Sequence, residues 1–236
     1  MDMVTDLHSH ILPGIDDGSS CVEESLKMLR MEAAQGIRHV VATPHFYPRY
    51  DDPGHFLSAR TEAEKRLREA MAKEAGLPEI SVGAEVYFFP GISDSEILPR
   101  LTIEGKGCIL IEMPHAPWGK GIYRELEQIW LRWGITPVVA HIDRYIAPFR
   151  SYGIPEQLAE LPVLVQANAD FFLQRRTCPM AMRMLKKGQI HLLGSDCHNM
   201  TSRCPNLGEA VEKIRQRLGQ EAIEGICSTE RELLLV

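Results

Sequence analysis

Apolar residues in this chain fall into short, nearly unbroken runs, each reached through a glycine. Gly36 precedes residues 37–43, Gly76 precedes 80–84, Gly134 precedes 135–140 and Gly188 precedes 190–194. A glycine just past a helix takes the left-handed conformation that satisfies the last carbonyls, so each of these marks a helix end. The runs that follow are apolar on consecutive positions instead of alternating, as in parallel strands covered on both faces. Residues 3–7, 108–112 and 163–167 complete the strand set. Between them the spacing predicts helices. Ser20-Cys21-Val22-Glu23 has the form of a capping box, with Val22, Leu26, Leu29 and Ala33 on one face. Residues 55–75 repeat the pattern with Phe56, Ala59, Ala63, Leu67 and Ala70. About seven strands alternating with helices predict an α/β fold of parallel βα units, closed as a barrel or left as an open sheet.

The polar residues gain meaning from their place in this pattern. The expected strands end in Asp6-Leu7-His8-Ser9-His10, Thr43-Pro44-His45, Ala84-Glu85, Ile111-Glu112, Ala140-His141-Ile142-Asp143-Arg144, Gln166-Ala167-Asn168 and Ser195-Asp196-Cys197-His198. In a parallel barrel these ends share one face, where such folds keep their chemistry. A lone histidine at a strand end is more often a structural group. A suitable residue at every strand end is not a chance pattern, and it marks a site. Imidazole mixed with carboxylate suits borderline divalent metals such as Zn, Mn or Fe. His8 and His10, and likewise Asp196 and His198, have the spacing that places two side chains on one side of a strand. The ligands outnumber the needs of one ion, so two or three metals are expected, with Glu85 as a bridge. His39, His55, His115 and His191 read as structural or surface groups, with His115 able to lie near the site.

Composition narrows the picture. The 236 residues are 44% hydrophobic with a formal net charge of -6, enough for one core and no electrostatic aid to binding nucleic acid. No apolar run reaches the ~18 residues of a membrane span. The N-terminus, Met1 to Asp6, has no secretory pattern. Six scattered cysteines read as reduced thiols of a cytoplasmic protein.

At the strand-end residues the chain resembles the polymerase-and-histidinol-phosphatase (PHP) superfamily. Asp6-Leu7-His8-Ser9-His10 and Ser195-Asp196-Cys197-His198-Asn199 look like its first and last motifs. The stretch from His8 to Gly18 is similar to the bacterial capsule and exopolysaccharide tyrosine-protein phosphatases. So are Ala42-Thr43-Pro44-His45, Gly83-Ala84-Glu85-Val86-Tyr87, Ala140-His141-Ile142-Asp143-Arg144-Tyr145 and Val165-Gln166-Ala167-Asn168. The resemblance implies a distorted (β/α)7 TIM-like barrel, forming one PHP-type metallophosphoesterase domain over residues 1–236. It implies a three-metal site, commonly manganese-activated. The first metal would be held by His8, His10, Glu85 and Asp196, the second by Glu85, Glu112 and His141, and the third by Asp17, His45 and His198. Arg144 and Arg203 would bind the phosphoryl oxygens. Asp143 departs from the glutamate expected before the arginine. The loops over residues 47–54 and 114–121 are unlike the family blocks and follow strand ends, where they would shape access.

The expected reaction is hydrolysis of phosphotyrosine by water activated by the metals. Arginine suits the phosphoryl group because its planar fork matches two oxygens and stays protonated. The resemblance suggests a phosphotyrosine protein, a tyrosine autokinase of capsule synthesis, as partner. Histidinol phosphate is the rival substrate, a DNA exonuclease role fits the charge poorly, and a silent metal-binding module is the rival class. Cys197 to Arg203 also fits the Cys-x5-Arg spacing of cysteine-dependent phosphatases. No glycine lies between them to shape a phosphate loop, and Cys204 stands where Ser or Thr is expected.

Overall fold

The computed structural model describes residues 4–146 and 153–234. Met3, which opens the first expected strand, lies outside them, as do the first and last residues of the expected 1–236 domain. Nine short strands occur among the described residues: β1 (Asp6–Ser9), β2 (His39–Ala42), β3 (His45–Phe46), β4 (Glu79–Val82), β5 (Glu85–Tyr87), β6 (Cys108–Glu112), β7 (Thr136–Val139), β8 (Leu164–Asn168) and β9 (Leu192–Gly194). The helices are α1 (Val22–Ala34), α2 (Pro53–Met71), α3 (Leu98–Leu101), α4 (Lys120–Trp133), α5 (Ile154–Leu158), α6 (Ala169–Leu173), α7 (Cys178–Lys186), α8 (Leu207–Leu218) and α9 (Gln220–Leu234). All strand pairs are parallel, in the orders β1-β2-β4 and β3-β5-β6-β7-β8-β9. The chain after β9 returns to β1. Asp196 N donates to His8 O at 2.8 Å and His10 N to Cys197 O at 2.9 Å. The sheet therefore curls until its two ends meet.

The expected second run splits at Pro44, which has no N–H to give the ladder. β2 stops at Ala42 and β3 resumes at His45. Its neighbour breaks alongside it, between β4 and β5, and Gly83 N to Ala42 O (2.9 Å) and Glu85 N to Pro44 O (3.0 Å) bridge the gap. All four predicted helix-ending glycines, Gly36, Gly76, Gly134 and Gly188, have φ between 64° and 85°. The capping box takes another form. Cys21 is the N-cap residue and makes no side-chain cap. Ser20 instead donates its N–H and hydroxyl to Glu24 at 2.9 and 2.7 Å, one residue beyond the expected Glu23. The inner face of α1 is Leu26, Met28, Leu29 and, unexpectedly, Glu32.

Two apolar clusters occupy the two faces of the sheet. Ile109, Ile111, Val139, Val165 and Leu193 pack outward beneath the helices. Leu7, Val41, Cys108, Leu110, Val138, Ala140 and Leu192 pack inward with Leu233 and Leu234 of α9. Each fully buried leucine contributes roughly 1.5–3 kcal/mol. The inner cluster fills the floor of the curl. Glu112 lies two residues beyond Leu110, so it leaves the strand on that same concave side.

At the floor, Glu230 of α9 accepts from Thr5 N at 2.9 Å, while its Oε1 has no partner. Burial pushes this carboxyl up from 4.5 to about 8. The folded protein thus keeps a proton that the unfolded chain releases, and stability falls as pH rises from about 4.5 to 8. Glu230→Gln stays neutral and escapes this loss. Thermal unfolding should show the variant's Tm above the parent's by at least ~5 °C near pH 8.5, with the gap closing near pH 5. An equal offset at both pH values would refute the assignment.

Candidate metal centre

The site begins with an irregularity. β1 advances from Asp6 to Ser9 while β2 advances only from Val40 to Ala42. The extra residue bulges the strand and re-aims its side chains. Leu7 joins the inner apolar cluster, and His8 and His10 turn into the same concavity above it. Asp6 points the other way, into a buried group with Glu32 and Cys197. His45 and Glu85 open β3 and β5 and lie in register with each other. Glu112 ends β6, while His141 and Asp196 follow β7 and β9. Both of the latter have left-handed backbone, φ 30° and 54°, which disfavours any residue but glycine.

Glu85 sits at the centre. Its Oε2 lies 3.2 Å from His8 Nε2, 3.4 Å from His10 Nε2 and 3.0 Å from His45 Nδ1, and its Oε1 lies 2.8 Å from His141 Nε2. Asp196 Oδ1 is 3.5 Å from both His8 and His10 Nε2. Asp17 Oδ1 is 3.5 Å from His45 Nε2 and from His198 Nε2. Glu112 Oε1 is 3.8 Å from His141 Nε2. All nine ligand candidates converge, with Asp17 alone strongly exposed at the rim. Arg203 approaches Asp196 Oδ1 at 2.7 Å, and Arg144 pairs with Asp196 Oδ2.

Four of the five imidazoles share an orientation, and His45 is the exception, with Nδ1 toward Glu85. His8 Nδ1 faces Gln166 Oε1 (3.3 Å), His10 Nδ1 faces Asp16 Oδ2 (2.7 Å), His141 Nδ1 faces Tyr145 Oη (3.1 Å) and His198 Nδ1 faces the Asp196 carbonyl (2.9 Å). An amide, carboxylate or carbonyl oxygen at Nδ1 selects the tautomer that donates there and leaves the Nε2 lone pair of His8, His10 and His198 free, as a metal-binding histidine requires, whereas the Tyr145 hydroxyl can donate to or accept from His141. Those Nε2 atoms face the cluster. Glu85 Oε2, Asp196 Oδ1 and His198 Nε2 are buried and make no well-aligned hydrogen bond, although Arg203 stands 2.7 Å from Asp196 Oδ1 and imidazoles surround Glu85 Oε2. Such atoms fit a cation better than they fit one another.

The charges respond accordingly. Burial pushes the Glu85 and Asp196 carboxyls up, but the surrounding histidines outweigh it and hold both well below the usual range. Burial and then Glu85 raise Glu112. Burial disfavours charge on His10, yet Asp16, Asp196 and Glu85 raise it well above the usual value. Burial and neighbouring His10 lower His198 to about 4.

Asp16 and Tyr145 were not singled out by sequence reasoning. Asp16 also accepts from Gly18 N (2.9 Å) and His45 N (3.0 Å); burial pushes its carboxyl up, but His10, and after it these two bonds, outweigh burial and set it at about 2. Its only signal was adjacency in Asp16-Asp17-Gly18. Tyr145 Oη accepts from Met113 N at 2.8 Å. The two unfamiliar loops supply aromatic rings: Tyr47 stacks on His45 at 5.0 Å and Trp118 lies 5.2 Å from Tyr145, with His115 at 5.6 Å. His39 bonds Ser81 Oγ and His191 accepts from Val165 N, both structural roles as expected.

Cys197 does not suit a nucleophile. It is fully buried, and burial together with Asp6 and Glu32 pushes its thiol well up. The following loop is no phosphate cradle either. The N–H groups of Thr201, Ser202 and Arg203 bond Asn199 Oδ1, and those of His198 and Asn199 bond Arg203 O.

Removing the support of His10 should weaken metal binding without unfolding the chain. Asp16→Ala is expected to raise the Mn²⁺ dissociation constant about 10- to 100-fold in calorimetric titration, with an unchanged far-UV spectrum. Parent-like affinity would show that Asp16 orients nothing of consequence.

The same site can be sought in known proteins. Tyrosine-protein phosphatase CpsB of Streptococcus agalactiae is 30% identical over 231 residues, covering 92% of this chain and 91% of its own. Tyrosine-protein phosphatase YwqE of Bacillus subtilis is 29% identical over 241 residues, covering 98% and 91%. A crystal structure described as YwqE from Bacillus subtilis and CpsB from Streptococcus pneumoniae, unique metal-dependent tyrosine phosphatases, superimposes with a TM-score of 0.85 at 25% identity, over 98% of this chain and 94% of that one. The family model for capsular polysaccharide synthesis, CpsB/CapC, matches residues 4–235, and the chain belongs to that family.

Proposed function

We propose that this chain is a metal-dependent protein-tyrosine phosphatase. One observation carries the reading: four imidazoles tied at Nδ1 turn their Nε2 atoms toward shared carboxylates, and two guanidiniums close on Asp196 beside them. The relatives named tyrosine-protein phosphatases, and the structural neighbour described as metal-dependent, supply the reaction class.

The donor set and its orphaned buried atoms fit two to three divalent ions, manganese by analogy, with Fe or Zn able to use the same ligands. His8, His10, Glu85 and Asp196 would hold the first, Glu85, Glu112 and His141 the second, and Asp17, His45 and His198 the third. Ligand atoms of His8, His10 and Glu85, of His45, Glu85 and Glu112, and of His10, Asp17, His45 and His198 gather within 4.8 Å. The last two groups bring in His45 and His10 beyond the assigned sets, so neighbouring ions would lie close together. Such ions, when bound, activate water and neutralise phosphoryl charge.

The chain's own contribution is charge and shape. Arg144 and Arg203 line one cleft of about 380 Å³ with Asp196 and Asn168. Their planar donors suit the phosphoryl oxygens. The half-buried rings of Tyr47 and Tyr87, 5.8 Å apart, and of Trp118 offer faces beside which a phenol ring can pack. A phenolate, with pKa near 10, leaves more readily than an alkoxide and asks less of a general acid.

The architecture reads as a (β/α)7 barrel if β2 with β3, and β4 with β5, each count as one interrupted strand. One domain over residues 1–236 follows from that reading. We carry over from the resemblance a tyrosine autokinase of capsule synthesis as protein substrate, in keeping with the family's link to capsular polysaccharide synthesis, and from the scattered thiols a cytoplasmic location. No described helix is long and apolar enough to cross a membrane.

Initial rates on phosphotyrosine peptides and on histidinol phosphate test the proposal. Chelation should abolish turnover of the peptides, Mn²⁺ should restore it, and Arg144→Ala should lower kcat about 100-fold. Cys197→Ser should keep most of the activity. Full turnover by metal-stripped protein, or preference for histidinol phosphate, would overturn it.

A further inference from the structure

Gln166 and Asn168 are the strand-end residues that no ligand assignment uses, and both are buried on β8. Their amides can be oriented from one unambiguous donor. The backbone N–H of His141 lies 2.6 Å from one end of the Gln166 amide, so that end is the oxygen. His8 Nδ1, 3.3 Å from the same oxygen, must then carry its proton, and His8 Nε2 is left as the free lone pair. The NH2 end of Gln166 consequently faces Asn168, whose oxygen accepts at 3.0 Å. The Asn168 NH2 then donates to Asp196 Oδ2 at 2.9 Å. A single peptide N–H thus sets the sense of a chain that ends on two ligand candidates, His8 and Asp196, and braces the left-handed backbone of a third, His141.

The chain has no room to rearrange. A Cβ on Gly194 would come within 2.6 Å of His8 Cβ and 2.8 Å of Gln166 Nε2. The strand behind the network therefore approaches it as closely as a glycine permits. Asn168 is pinned from its backbone as well, since its N–H donates to Asp143 Oδ1 at 3.0 Å.

We infer that Gln166 and Asn168 are positioning residues of the metal centre: Gln166 fixes the tautomer of His8 and the backbone of His141, and through Asn168 the rotamer of Asp196. The inference rests on the metal-site reading above. It assigns Gln166 to several ligands at once and Asn168 to Asp196 alone, which orders the two by effect.

The test is Mn²⁺ titration of chelator-stripped protein, with melting of the stripped form as control. Gln166→Met keeps the length of the side chain and removes its polarity. It should weaken Mn²⁺ binding about 10- to 100-fold, and Asn168→Ala should weaken it by less. A merely structural role would lower the Tm of the stripped variants and leave the dissociation constants alone. In Zn²⁺-loaded protein, the downfield proton resonance of His8 Nδ1–H should be present in the parent and in Asn168→Ala, and lost in Gln166→Met. Dissociation constants within threefold of the parent for both variants would overturn the inference. If Gln166→Met does not fold, Asn168→Ala decides it by the same criterion. A parent that binds no Mn²⁺ would instead refute the metal site itself.

Discussion

Everything at the top of this sheet is arranged around a carboxylate that water scarcely reaches. Glu85 is 1% exposed and faces His8, His10, His45 and His141. Stripping water from a carboxylate costs several kcal/mol unless positive charge replaces it. The imidazoles supply part of that charge only when protonated, and they cannot all be protonated so close together. Shared divalent cations satisfy the carboxylates and the neutral imidazoles at the same time. The left-handed backbone at His141 and Asp196 is tolerated because surrounding hydrogen bonds hold it in place.

The sheet makes this arrangement possible by dividing its concave side. The floor is apolar, with Leu7, Val41, Leu110, Val138 and Leu192 closed off by Leu233 and Leu234. The ligand candidates stand at the strand ends above it. Dry packing beneath excludes solvent from below, so among the described residues the cluster meets solvent at its rim, through Asp17, the loops carrying Tyr47 and Trp118, and the cleft lined by Arg144 and Arg203. Parallel strands present all their C-terminal ends to one side, and residues far apart in sequence, such as His8 and Asp196, come together there.

Much of this was legible in the sequence, for physical reasons that can be named. Gly36, Gly134 and Gly188 announced helix ends because only glycine takes their left-handed conformation at no cost, whereas Gly76, also left-handed, lies in the turn beyond α2, which stops at Met71 short of the expected residue 75. The strand-end histidines and carboxylates followed from the parallel topology. The bulge in β1 was not legible, since nothing in Asp6-Leu7-His8 signals an added residue against a partner strand. Nor was the choice between Asp16 and Asp17. Adjacent identical residues diverge only through tertiary contacts, one turning inward to His10 and the other outward to the rim. Glu32 looked like an ordinary helix residue and is buried against Asp6, because α1 packs on the outer side of β1. Cys197 to Arg203 has the spacing of a phosphate loop but no glycine to shape one, and its backbone donors are already occupied, in line with the discounting of that loop on sequence grounds.

Asp196 is where the candidate metal ligands and the two guanidiniums meet. One oxygen faces His8, His10 and Arg203, and the other receives Arg144 and Asn168. The two guanidiniums are each about one-third exposed, so their pairing with Asp196 is screened by solvent and contributes little to stability. A cation taking up the charge of Asp196 weakens that pairing further. On the proposed reading, filling the site would free Arg144 and Arg203 for an incoming anion. Asn168 is neutral, so its hydrogen bond to Asp196 Oδ2 depends less on that charge than the guanidinium pairings do and would hold Asp196 in place.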